Sequence, residues 1–235
     1  MEILNFDTPE KLFSEMAVKL DATARTAISE RGVFHFVLNG GGTPAGLFDV
    51  LRREPHRSAE IWRAARFWWG DERSVAPDSE GSNYRMAREL LLDPLGIEAS
   101  QVRRIKGELD PVEAAVHYTE LLRRAAGPGR GWPRFDIVLL GLGKDGHTAS
   151  LFPGSKTPEG AAVVAATADY EGRPVERVSL TPAAINSARH VYFMVVGDEK
   201  VEIVERVLNG PRDPVSIPAQ RIRPEGGALV WWLCL

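Results

Sequence analysis

Apolar and polar positions along this chain switch repeatedly between a helical period and short strand-like runs. Leu12, Phe13, Met16, Leu20, Ala24 and Ala27 recur at helical spacing between Thr8-Pro9 and Gly32. That spacing predicts a long amphipathic helix with proline in its first turn. Val33 to Leu38 follows as a β-branched and aromatic run, stopped by Asn39-Gly40-Gly41-Gly42. A weak alternation over residues 2–6 predicts an edge strand. Thr43-Pro44 opens a second helix through Leu51, and residues 65–69 predict a strand ending at Gly70. Residues 74–81 read as a loop. Ser82 or Asn83 then suits the cap of a helix carrying Tyr84, Met86, Ala87, Leu90 and Leu91. Pro111 starts another helix, broken at Gly127-Pro128-Gly129. Further strands are predicted at 135–140, 161–167, 176–181, 190–196 and 228–233, with a helix at 199–208.

Strands alternating with helices predict an α/β fold with a doubly wound, mainly parallel sheet and helices on both faces. The apolar runs suit strands buried on two sides. The 235 residues, 44% of them hydrophobic, suit one well-filled domain over residues 1–235.

Composition narrows the function. Twenty-nine basic residues stand against 32 acidic ones, a formal charge of −3. The arginines fall singly or in pairs, which argues against a nucleic-acid partner. A small anion needs only two or three convergent cations and stays within reach. The one cysteine, Cys234, rules out a disulfide within the chain and a cysteine-rich metal site. The first 16 residues carry Glu2, Asp7 and Glu10 and no signal-peptide core. No run approaches the roughly 18 apolar residues of a membrane span. The chain reads as soluble and cytoplasmic, with no membrane partner. Its oligomeric state is not legible.

Three predicted strand ends carry polar clusters, and sites in open parallel sheets lie just beyond such ends. The first is Asn39–Thr43. Its glycines allow backbone N–H groups to converge beside a helix N-terminus, which suits a phosphate; a plain tight turn explains it equally well. No Gly-Lys-Ser/Thr follows, so it is not a Walker loop. The second is Asp71-Glu72-Arg73, either a surface ion network or a polar strand end from which Arg73 offers a fork to an anion. The third is Asp145-Gly146-His147-Thr148. An imidazole there can take a proton from water at neutral pH, with Asp145 to orient it; the alternative is a histidine bonded into a structural turn. Arg177 and Lys200 add a fourth, cationic pair. Lys200 opens a helix, where a cation is disfavoured unless an anion meets it.

Gly141-Leu142-Gly143-Lys144-Asp145-Gly146 also fits G-x-G-x-x-G, with Asp169 downstream. The fingerprint requires a long helix after its third glycine, and Pro153-Gly154 forbids one. A dehydrogenase is therefore disfavoured. No histidine has metal-ligand spacing.

Taken together, NGGGTP (39–44), WWGDERSVAPDSEGSNYRMARELLL (68–92), DIVLLGLGKDGHTASLFPGS (136–155), ERVSLTPAAINSARHVYFMVVGDEK (176–200) and IPAQRIRP (217–224) resemble the 6-phosphogluconolactonase family. They stand in the family's order and cover most of the chain. The resemblance implies the fold of sugar-phosphate isomerases and deaminases. It also implies hydrolysis of 6-phospho-D-glucono-1,5-lactone in the pentose phosphate pathway, with no cofactor or metal required. On it, His147 is the general base and Asp145 sets its orientation. Arg73 positions substrate or steadies an oxyanion, and Gly41, Gly42, Thr43, Arg177 and Lys200 hold the phosphate. Asn39 and Gly42 stand where the family usually has small hydroxyl residues. Cys234 stands near the place of an aspartate, which leads us to expect an altered end to the last strand.

Two other readings compete. Glucosamine-6-phosphate deaminases share the Asp-Gly-His turn but follow it with a ring-opening glutamate, and here Phe152 holds that place. A sugar-phosphate-binding regulatory module lacks, in this chain, a basic DNA-binding segment.

Overall fold

The computed structural model describes residues 1–168, 170 and 172–235. In chain order, β1 (Glu2–Asn5) leads into α1 (Pro9–Arg31), β2 (Phe34–Leu38) and α2 (Thr43–Leu51). Next come α3 (Ala59–Ala64), β3 (Ala65–Trp69) and β4 (Asp71–Arg73). α4 (Asn83–Ala87) runs on through a π-helical segment, Arg88–Leu92, into α5 (Asp93–Leu95). β5 (Val102–Arg103), α6 (Pro111–Ala125) and β6 (Ile137–Leu140) follow. The last third holds β7 (Val163–Thr167), β8 (Glu176–Leu180), α7 (Pro182–Asn186), β9 (His190–Val196), α8 (Val201–Leu208) and β10 (Ala228–Cys234).

α1 forms where its spacing predicts. Thr8 caps it by accepting from the Lys11 amide at 3.3 Å, Pro9 fits the first turn, and Gly32 ends it in the left-handed region at φ 70°. Its buried stripe is Leu12, Met16, Ala17, Leu20, Ala24 and Ala27. Each buried leucine or methionine in such a stripe contributes roughly 1.5–3 kcal/mol.

Seven strands make the main sheet in the order β1-β10-β9-β6-β2-β3-β5, and every pairing in it is parallel. Helices cover both faces, as the alternating pattern predicts. From β2 the chain winds outward to β3 and β5, then returns to β6 on the other side of β2 and continues to β9 and β10. The direction of winding reverses between β2 and β6. Connections there leave the sheet toward opposite faces and open a crevice beyond the strand ends.

Residues 161–167 and 176–181, expected as strands, are strands, but they lie outside the parallel sheet. They form β7 and β8 of a separate antiparallel sheet, ordered β4-β8-β7. The third strand, β4, is the Asp71–Arg73 cluster itself. Gly70 links the two sheets, because its amide donates to Leu38 O at 3.0 Å and its carbonyl accepts from the Leu180 amide at 2.8 Å. β10 is regular to Cys234, which pairs with Val196.

Among the described residues, no helix is long and apolar enough to cross a membrane.

Candidate active site

β2 and β6 are hydrogen-bonded neighbours, with Val37 opposite Val138, so the segments that follow them emerge side by side. After β2, Gly40 to Gly42 turn the chain into α2. Gly41 has φ 97°, a conformation that favours glycine. No side chain caps the first turn of α2, and Gly41, Gly42 and Thr43 at this partly positive helix end line the crevice.

After β6 the chain folds on itself without a helix. The Gly143 amide donates to His147 O at 2.9 Å and the Gly146 amide to Gly143 O at 3.0 Å. Thr148 Oγ1 donates to Gly141 O at 2.8 Å and closes the loop. The loop holds Asp145 Oδ1 2.6 Å from His147 Nδ1 and 3.1 Å from the His147 amide. Burial pushes the Asp145 carboxyl up, but the hydrogen bonds and charge of His147 outweigh it and hold that carboxyl below its ordinary value. With Nδ1 engaged by Asp145, Nε2 is the ring nitrogen left for proton exchange, and His147 lines the crevice. A Cβ on Gly143 would lie 2.0 Å from His147 Nδ1 and 2.6 Å from Asp145 Oδ1, so only glycine leaves room for the pair.

β4 and β8 add the cations. Arg73 and Arg177 are directly opposite in their antiparallel pairing. Arg177 is 3% exposed, and its Nε and Nη2 have no hydrogen-bond partner among the described residues. Burial pulls its guanidinium below the usual arginine range; Asp71 opposes this, while Arg73 and Arg173 add to it. Arg73 donates to Gly81 O at 2.7 Å, which fixes it to the end of the 74–81 loop. Lys200, beside the end of β9, donates to Leu142 O at 2.9 Å, so its ammonium is aimed back at the β6 loop.

Gly41, Gly42, Thr43, Arg73, His147, Arg177 and Lys200 all line one crevice, with about 170 Å³ of room for water. Asp145 stands behind the imidazole. Asp169 lies outside the described residues. The crevice also takes in Asp71, Asn83, Tyr170 and Arg173, which the sequence reading did not single out as site residues. Asp71 accepts from Ser150 Oγ at 2.6 Å and from Asn83 Nδ2 at 3.3 Å. Asn83 was read as a possible cap, but Ser82 does the capping, accepting from the Arg85 amide at 3.1 Å.

Glu72 faces away from the crevice. It accepts from the amides of Arg73, Asn83 and Tyr84 at 2.7–2.8 Å and from Ser82 Oγ at 3.0 Å. Burial pushes its carboxyl up against the pull of those three amides. The Asp-Glu-Arg cluster thus divides its work: Glu72 ties β4 to α4, while its neighbours turn to the cavity. Among the described residues, no three His, Cys, Asp or Glu side chains are grouped to hold a metal ion.

The sequence profile described as "Glucosamine-6-phosphate isomerases/6-phosphogluconolactonase" matches residues 7–231. A Haemophilus influenzae protein named 6-phosphogluconolactonase is 34% identical over 201 residues, covering 85% of this chain and 84% of its own. The solved structure of 6-phosphogluconolactonase from Trypanosoma brucei superimposes with a TM-score of 0.86 at 32% identity, over 99% of this chain and 95% of that one. A monomeric glucosamine-6-phosphate deaminase, 21% identical, shares the fold with a TM-score of 0.81 over 98% of this chain and 96% of its own. A profile that runs almost from end to end places the chain in the glucosamine-6-phosphate isomerase/6-phosphogluconolactonase family.

Proposed function

We propose that this protein hydrolyses 6-phospho-D-glucono-1,5-lactone to 6-phospho-D-gluconate in the oxidative pentose phosphate pathway. The observation that carries the reading is the pairing of His147 with Asp145 at 2.6 Å in the same crevice as the under-bonded guanidinium of Arg177. The crevice thus brings together a group suited to proton transfer and groups suited to a phosphate.

Asp145 accepts a hydrogen bond from Nδ1–H of His147, which leaves a lone pair on Nε2. Nε2 takes a proton from water as the water oxygen bonds to the lactone carbonyl carbon. The carbonyl electrons move onto its oxygen, and Arg73 or a backbone amide steadies that charge. The carbonyl re-forms, the bond to the ring oxygen breaks, and His147 returns its proton to that oxygen. Asp145 stays ionised throughout and stabilises the imidazolium. In the same crevice, the amides of Gly41 and Gly42, Thr43, Arg177 and Lys200 hold the phosphate. A phosphorylated sugar does not cross membranes unaided, which suits an enzyme of the cytoplasm.

Phe152 occupies the place where deamination needs a proton-relaying carboxylate, and its ring is stacked on His147. That supports hydrolysis over ring opening. The test is an assay of lactone loss, corrected for uncatalysed hydrolysis, with 6-phosphogluconate appearing in equal amount. A rate equal to the spontaneous one overturns the proposal.

A further inference from the structure

The Phe152 ring lies 4.4 Å from the His147 ring between centroids, with the planes 29° apart. The guanidinium carbon of Arg177 stands 5.3 Å from the centroid of the same ring. Phe152 is 7% exposed, so it is held firmly by its surroundings. Tyr170 meets the imidazole edge-on at 4.6 Å, which closes a second side of it. The groups read above as base and phosphate cation therefore rest against one aromatic plate, although they come from different sheets.

The plate suits the charges involved. An aromatic face is electronegative and attracts a cation. Arg177 is a permanent cation, and His147 becomes one when it takes the proton from water. A stacked ring therefore orients the imidazole before the step and favours the imidazolium formed in it. An aliphatic side chain of similar bulk supplies the packing without that face. Arg177, two of whose nitrogens lack partners among the described residues, gains from the ring a fixed plane from which to meet an anion.

We propose that Phe152 is a positioning residue for this reaction, registering His147 and Arg177 against each other through its ring. The proposal rests on the lactonase reading. Phe152 acts only through those two side chains.

The test compares the parent chain with Phe152→Leu and Phe152→Tyr on the phosphorylated lactone. We expect Phe152→Leu to lower kcat about 3- to 30-fold and to raise KM, in a chain that still melts cooperatively at a somewhat lower temperature. Phe152→Tyr, which keeps the aromatic face, is expected to hold kcat within about 3-fold of the parent. Phe152→Met repeats the comparison if the leucine variant does not fold. A parent no faster than spontaneous hydrolysis overturns the lactonase reading and this role with it. An active parent overturns the role alone if Phe152→Leu retains kcat and KM within about two-fold, or if Phe152→Tyr falls as far as Phe152→Leu.

Discussion

Arg73 and Arg177 face each other across β4 and β8 as directly paired residues. Like charges so placed repel, by roughly 0.2–1 kcal/mol in an exposed pair. Arg177 is buried and two of its nitrogens lack partners among the described residues, so on the proposed reading a bound anion would relieve the repulsion and supply the missing bonds together.

Inorganic phosphate and 6-phosphogluconate are therefore expected to raise the melting temperature. A ligand at about 100 times its Kd adds about 2.7 kcal/mol. Arg177→Gln is expected to lose most of that rise. It is also expected to raise KM about 10-fold or more for the phosphorylated lactone while changing the rate on an unphosphorylated one little, since a charge-assisted bond contributes about 1.5–3 kcal/mol. Equal discrimination by parent and variant would remove Arg177 from phosphate recognition.

His147→Ala is expected to lower kcat about 10²- to 10⁴-fold, the usual range for a positioned general base. Affinity for 6-phosphogluconate should hold in a calorimetric titration. Asp145→Asn is expected to lose nearly as much. Its amide can donate to Nδ1, which moves the ring proton to Nε2 and blocks the nitrogen that must accept from water. A fully active Asp145→Asn enzyme would show that the 2.6 Å contact is structural only.

Gly143→Ala separates the geometry of the pair from its chemistry. The new methyl would sit 2.0 Å from His147 Nδ1, and the imidazole has to leave its place. Turnover is expected to fall at least about 100-fold, while circular dichroism remains that of the parent. An active alanine variant would mean that the loop adjusts at little cost.

Stability is expected to fall in mild acid. Burial lowers the titration of His35 and His190 at the opposite end of the sheet, with Asp136 pulling the other way. His35 Nδ1 accepts from Trp68 Nε1 at 3.1 Å, a bond that a protonated Nδ1 cannot make. The unfolded chain thus binds protons at these sites near pH ~6.5 and the folded chain only lower. The contribution is complete above about pH 6.5 and is lost as pH falls from there through the folded-state values. Urea midpoints measured between pH 8 and pH 5 should decline, and His35→Gln, which keeps an acceptor for Trp68, should flatten the decline. Midpoints that hold or rise on acidification would contradict the assignment.

Several parts of this molecule were legible in the chain before any folding was considered. The stripe of α1, the apolar runs of β2, β3, β6 and β9, and the glycine turns after two of them depend on contacts within a few residues. So does the proximity of Asp145 to His147, two positions apart. Reading Arg177 and Lys200 as phosphate ligands needed a resemblance to a known family, since nothing local ties either one to the Gly41–Thr43 turn. The sheet to which β7 and β8 belong was not legible, because a five-residue strand looks the same in the sequence whichever sheet it joins. Its deciding partner, β4, has only three residues, too few to show a period.

Tertiary structure alone decided which strand ends became neighbours. The crevice exists because β6 returns to pair with β2 and reverses the winding there, and because Gly70 diverts the chain from the large sheet into the small one. Those two events bring Asp71, Asn83 and Arg177 to the glycine turns and set the Arg177 guanidinium over the ring of Phe152. Each such contact joins residues whose distance is set by strand order rather than by position along the chain, so no local pattern could encode it.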